Sequence, residues 1–105
     1  MVNQFDVVLI DLNPTVGAEI NKTRPCVVIS PDDINQHLRT VIIAPLTSTP
    51  RGWPFRPVVQ GSKVKSEVAI DQMRAVDKNR IIKKLGQLTA IESNLVASVV
   101  KEFFE

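Results

Sequence analysis

Cysteine is nearly missing from this chain. Cys26 is the only one, so no internal disulfide can form, which fits a reducing compartment. It lies in an apolar run and is read as a small core residue, not a nucleophile. Histidine is equally scarce. One His37 and one Cys26 cannot supply the usual zinc sets, nor can an isolated histidine support a Ser-His-Asp arrangement. His37 falls at the end of a short helical segment and is read as an exposed residue favoured by the helix dipole. The four glycines are scattered and make no phosphate-cradling loop. No apolar run approaches the ~18 residues of a membrane-crossing helix. The opening MVNQFD lacks the basic start of a secretory signal. The expectation is a cytoplasmic protein with no metal, no cofactor and no membrane segment.

Acids are missing locally. Between Ile34 and Ser66 there is no Asp or Glu, but Arg39, Arg51, Arg56, Lys63 and Lys65 all occur there. In a chain whose net charge is only +2, such a basic central third predicts a face that prefers polyanions, with an ordinary solvated cationic surface as the alternative. Trp53 and Phe55 flank Pro54 in this stretch. Aromatics among arginines suit base stacking, although a core or subunit contact suits Phe55 better.

What is present is ordinary globular material. The 105 residues are 44% hydrophobic and 23% charged, without repeats or a linker, and predict one domain over residues 1–105. Apolar, β-branched runs predict strands at 6–12, 24–30 and 40–46, a fourth at 55–60 with Pro57 at an edge or bulge, and a fifth at 67–76. Residues 31–35 read as a short helical turn, 61–63 as a turn, and 77–80 as the end of the fifth strand. Thr89-Ala90-Ile91-Glu92 fits a capping box. Leu88, Ile91, Leu95, Val99 and Phe103, widened by Val96, Val100 and Phe104, recur at helical spacing and predict an amphipathic helix lying on the sheet. The fold class is α+β, a small antiparallel barrel or strongly bent sheet with a short helix and a C-terminal helix.

The loop NPTVGAEINKTRP, residues 13–25, is about twice as long as a simple hairpin needs, and loops of that length are often functional. Pro25 biases Arg24 toward an extended backbone where the loop meets the second strand. Alternation puts Arg24, Cys26, Val28 and Ser30 on one face, and Pro25, Val27 and Ile29 on the other. A fixed guanidinium there suits a phosphate. Thr47 opens the second long loop. If strands two and three are antiparallel neighbours, Arg24 and Thr47 share one rim. By residue type alone, a structural ion pair for Arg24 and a turn or cap for Thr47 are the favoured readings.

The stretches DLNPTVGAE (11–19), TRPCVVIS (23–30), PLTS (45–48), IDQMR (70–74) and Val76-Asp77 resemble the MazF/PemK (Kid) family of toxin endoribonucleases, in order and spacing, over nearly the whole chain. The resemblance implies an SH3-like β-barrel of the CcdB/PemK type with a C-terminal helix, acting as a homodimer. It implies metal-independent cutting of single-stranded RNA at short preferred sequences. It also implies inhibition by a cognate MazE-like antitoxin with a disordered acidic tail, and operator DNA binding through that antitoxin. On these motifs it places the catalytic pair at Arg24 and Thr47, Glu19 in the active region, and Asp71 and Gln72 along the RNA groove. Asn13, Thr15, Lys22, Ser48, Arg51, Phe55 and Arg74 complete the expected RNA-contacting set, and Arg56 is a further expected phosphate contact. Some members carry a basic residue two places before the aspartate. Here that position is Ala69, a departure that counts against proton transfer by Asp71. Two other classes stay open: a gyrase-poisoning toxin of the same barrel, like CcdB, and an SH3-like module that only binds. The Arg24-Pro25 and Thr47-Ser48 matches argue against the first.

Overall fold

The computed structural model describes residues 2–60 and 65–105. In chain order these form β1 (Asp6–Asp11), β2 (Thr23–Val28), α1 (Asp32–His37), β3 (Thr40–Thr47), β4 (Val58–Val59), β5 (Ser66–Val68), β6 (Arg74–Asp77), β7 (Ile81–Gln87) and α2 (Ala90–Phe103), with 3-10 turns at Ile70–Gln72 and Lys78–Arg80. The strands make one antiparallel sheet ordered β4-β5-β3-β2-β1-β7, with β6 also pairing β3.

β3 is the pivot. One half, Thr40 to Ile43, pairs β6; its end, Leu46 and Thr47, pairs β5. β2 pairs Ile43 to Pro45. A strand that changes partner along its length turns the sheet, and the result is the curled half-barrel that the bent-sheet expectation called for.

Alternation then builds two apolar clusters on the two faces. Val7, Val27, Ala44, Leu46, Val59, Val68 and Ile70 join Leu88 and Val96 under α2. Val8, Ile10, Leu12, Cys26, Val28, Val41, Ile43 and Val76 make the other. Cys26 is fully buried, as its apolar context predicts. His37 ends α1, exposed, with Nδ1 2.6 Å from the Asp33 carbonyl oxygen.

Four expectations need correction. Seven strands occur among the described residues, not five. The run at 67–76 is broken because Ile70, Asp71 and Gln72 wind into a 3-10 turn, which buries Ile70 and points the polar pair outward. The fourth strand shrinks to Val58–Val59, since the prolines at 54 and 57 supply no ladder N–H. β7, over IIKKLGQ, lies where no strand was assigned. The expected turn at 61–63 falls outside the described residues.

The terminal helix begins with the predicted capping box: the Thr89 hydroxyl accepts from Glu92 N, and the Glu92 carboxylate accepts from Thr89 N. Its buried stripe is narrower than expected. Leu88 and Val96 are buried and Val99 and Val100 pack against that core, but Ile91 is 82% exposed and Leu95, Phe103 and Phe104 also face out. The sheet surface under α2 takes one row of side chains, and the neighbouring row rotates away. No helix among the described residues is long and apolar enough to cross a membrane.

Candidate active site

The site is built at one end of the β2–β3 pair. Cys26, Val27 and Val28 face Pro45, Ala44 and Ile43. The paired stretch ends at Cys26 and Pro45, and Arg24 and Thr47 each lie two residues beyond it, at the same end of the two strands. Arg24 is half-buried, and its Nε donates to the Asn21 carbonyl oxygen at 3.0 Å. One of its donors is thus tied to the 13–25 loop while the guanidinium stays at the rim. The Thr47 hydroxyl oxygen accepts from Thr49 N at 3.3 Å, which leaves its hydrogen available to donate.

The loop is organised by its own polar side chains. Asn13 N donates to Asp11 Oδ1 at 3.0 Å, and Lys22 N donates to Asn13 Oδ1 at 3.1 Å, closing the loop neck. Arg80 Nη1 donates to the carbonyl oxygens of Asp11 and Asn13. Glu19 Oε1 accepts from Val16 N at 2.6 Å, across a turn in which Gly17 has φ +57. A side chain there would be strained even though the space is open. Thr15 is half-buried within this loop and Lys22 is exposed.

Glu19, Ile20, Pro45, Asp71, Gln72, Met73 and Arg74 line one cleft of about 270 Å³. Gln72 Oε1 accepts from Ile20 N at 3.3 Å, so the 3-10 turn holds the far wall of the loop. Arg74 Nη1 donates to the Leu12 carbonyl oxygen at 3.2 Å. Arg24 and Arg74 both act electrostatically on the Cys26 thiol; burial dominates and pushes that thiol up to about 12. A second hollow of about 190 Å³ lies beside Thr47 and Ser48, with Lys65 and Glu67 in its lining.

The basic loop after Thr47 is not a free cationic surface. Arg56 makes a bidentate pair with Asp71, with both hydrogen bonds at 2.9 Å, and its guanidinium lies 4.6 Å from the Trp53 ring centre. Its hydrogen bonds hold the Asp71 carboxyl below the usual aspartate range. Arg56, an expected phosphate contact, thus has its Nε and Nη2 engaged by a carboxylate. Arg51 is exposed, 5.8 Å from the Trp53 ring centre. Phe55 turns toward α2, 5.3 Å from Trp53 and 6.2 Å from Phe103. Of the expected set, then, Glu19, Asp71, Gln72 and Arg74 share one cleft, Thr47 and Ser48 line a second hollow, Arg24 follows the end of the β2–β3 pairing, and Phe55 stands apart. Among the described residues no group of three or more His, Cys, Asp or Glu could hold a metal ion.

One polar residue escaped the sequence reading. Glu67 is only 4% exposed, and its carboxylate accepts from the backbone N–H groups of Arg51 and Gly52. In a strand reading Ser-Glu-Val an acid is expected to face water. Only the missing acids of the preceding loop hint that its amides seek one.

The chain is similar to known proteins in sequence and in fold. Residues 3–104 match the family model described as PemK-like, MazF-like toxin of type II toxin-antitoxin system. The Endoribonuclease MazF of Staphylococcus saprophyticus is 36% identical over 95 residues, covering 85% of this chain and 79% of that protein. Among solved structures, MazF from Deinococcus radiodurans superposes with a TM-score of 0.86 at 24% identity, covering 98% of this chain and 96% of that one. A mycobacterial endoribonuclease in complex with its cognate antitoxin superposes with a TM-score of 0.85 at 19% identity, covering 99% and 95%. At those identities the superpositions establish the shared fold.

Proposed function

The chain belongs to the PemK-like, MazF-like toxin family of type II toxin–antitoxin systems and is an endoribonuclease toxin of that family, and from this premise we propose how it cuts RNA. The substrate is single-stranded RNA, whose 2′-OH attacks the adjacent phosphorus and displaces the 5′-oxygen. The products are a 2′,3′-cyclic phosphate and a 5′-hydroxyl. The nucleophile is already positioned within the substrate, so the protein must supply charge stabilisation and proton transfer, and no metal is needed.

The observation that supports this is the β2–β3 pairing, beyond whose last pair Arg24 and Thr47 follow at the same strand end, together with a cleft lined by Glu19, Asp71, Gln72 and Arg74. Arg24 stabilises the charge gathering on the phosphorane. Thr47 donates its hydroxyl hydrogen to a non-bridging oxygen or orients the 2′-OH. Arginine stays protonated, with a pKa above ~12, so it is a poor base. Glu19, on the loop wall, is the carboxylate suited to take the 2′-OH proton, and the departing 5′-oxygen takes its proton from water. Asp71 is committed to Arg56 and serves the groove as structure. Lys22, Arg51 and Arg74 hold phosphates, with Asn13, Thr15, Ser48 and Gln72 on base and sugar edges.

The protein acts as a homodimer in the cytoplasm and is silenced by a MazE-like antitoxin, as solved relatives in complex with their cognate antitoxins suggest. Operator DNA binding belongs to that complex, through the antitoxin.

The test is incubation with a long unstructured RNA in EDTA, with the fragment ends mapped. Cleavage at a recurring short sequence, leaving cyclic phosphate and 5′-hydroxyl ends, is expected. Arg24→Ala should slow it at least ~100-fold, the usual loss for one oxyanion-stabilising donor, with the circular dichroism spectrum unchanged. An all-deoxy strand should be inert, and cutting of it would refute attack by the 2′-OH.

A further inference from the structure

We propose that Glu67 is a positioning residue for Thr47, acting through the segment Thr47–Gly52. The proposal rests on the reading above in which Thr47 takes part in cleavage.

Glu67 lies opposite Thr47 in the β3–β5 pairing. It is a carboxylate, 4% exposed, in the middle of three adjoining strands, since Val58 of β4 faces it from the other side. An acid so placed needs hydrogen-bond donors, because burial without them is costly. Its donors are two successive backbone amides. Arg51 N donates to Oε1 and Oε2 at 3.1 and 3.2 Å, and Gly52 N donates to Oε2 at 3.1 Å. Gly52 sits at φ +72, a conformation that suits glycine and turns its amide inward.

The loop from Thr47 to Gly52 is therefore held at both ends from one residue. At Thr47 the β5 backbone holds it; at Arg51 and Gly52 the Glu67 side chain does. Between these anchors, Ser48, Thr49 and Pro50 are exposed. Within the span, Thr49 N donates to the Thr47 hydroxyl oxygen. That bond occupies one lone pair of the hydroxyl and so narrows the directions its hydrogen can take. Release of the Glu67 clamp frees Thr49 and lets the hydroxyl rotate, while the sheet below keeps its ladder. The loss is one of aim, not of fold.

Single-turnover cleavage and KM of E67A, E67Q, T47V and the T47V/E67A double variant test this, with E67L used in place of E67A if the alanine cavity unfolds the chain. E67A is expected to lower the cleavage rate about tenfold or more, as small misplacements of a reacting group do, with KM changed less than about threefold. E67Q keeps an acceptor oxygen and should recover most of the rate. In the double variant the Glu67 change should add nothing to T47V. If the two losses multiply, or if folded E67A or E67L cuts like wild type while T47V is slow, the Glu67 inference falls and the Thr47 reading stands. If T47V itself cuts like wild type, the Thr47 reading falls and takes the inference with it.

Discussion

Arg24 and Cys26 occupy the same strand face two residues apart, and their environments diverge sharply. The thiol is sealed in the core and burial pushes it up to about 12, against the pull of Arg24 and Arg74. It should therefore resist a disulfide reagent at pH 8 and react at once in denaturant, because the thiolate is the reactive form. Fast reaction of the folded protein would contradict this burial. Arg24 is half-exposed at the rim, and its Nε is spent on Asn21. The remaining fork is what matters, so Arg24→Lys should not rescue: a compact ammonium cannot reproduce both the Asn21 bond and a planar contact with phosphate. Less than about a tenth of wild-type cleavage should remain, measured on the RNA that wild type cuts, since a lost charged hydrogen bond costs roughly 1.5–3 kcal/mol. Period-two alternation was enough to place these two residues. It could not place Arg56, whose partner Asp71 lies 15 residues away across a turn. A cation without an acidic neighbour in sequence looks available, and here it is not.

The loop between β3 and β4 is tied down by two acids, Glu67 of β5 on its backbone and Asp71 of the following 3-10 turn on Arg56. Asp71 sits below the ordinary aspartate range, chiefly through its hydrogen bonds from Arg56. The sign follows: a depressed pKa gives stability that is present above the unfolded value and lost as pH falls through the folded one. Trp53 lies against Arg56 and is the only tryptophan, so its emission reports this contact. The emission should stay flat from pH 7 to 5 and change only below the usual aspartate pKa of ~3.9. Asp71→Asn should shift it at pH 7. A titration centred near pH 6 would show that some other group governs the loop. Element legibility followed signal strength. β1, β2, β3 and the α2 cap were readable because apolar runs and a capping box are local. β7 was not, since Lys83 and Lys84 interrupt its pattern and its strand state comes from pairing with β1, more than 70 residues earlier. The break at 70–72 was hidden likewise, because Ile70 turns to meet the core under α2.

At the scale of the whole molecule the two apolar clusters are not separable. β1 gives Val7 to one and Val8 and Ile10 to the other; β2 gives Val27 to one and Cys26 and Val28 to the other; β3 divides Ala44 and Leu46 from Val41 and Ile43. A strand leaving the sheet strips both faces at once, so neither cluster can melt while the other persists. Ile10 and Ile70 belong to different clusters and are both essentially inaccessible. Ile10→Ala and Ile70→Ala should each cost about 2–5 kcal/mol, the range for such truncations. Each should move the midpoint of one urea transition with its slope unchanged, as expected of a two-state domain of this size. Far-ultraviolet dichroism, which follows α2 and the sheet together, and Trp53 emission, which follows the loop, should trace the same curve. Two transitions for Ile70→Ala, with α2 melting first, would show that the helix and its cluster form a separate unit. If unfolding is single, the rim bearing Arg24 and Thr47 is as stable as the sheet that carries it. RNA cleavage should then disappear along the same urea curve and not before it.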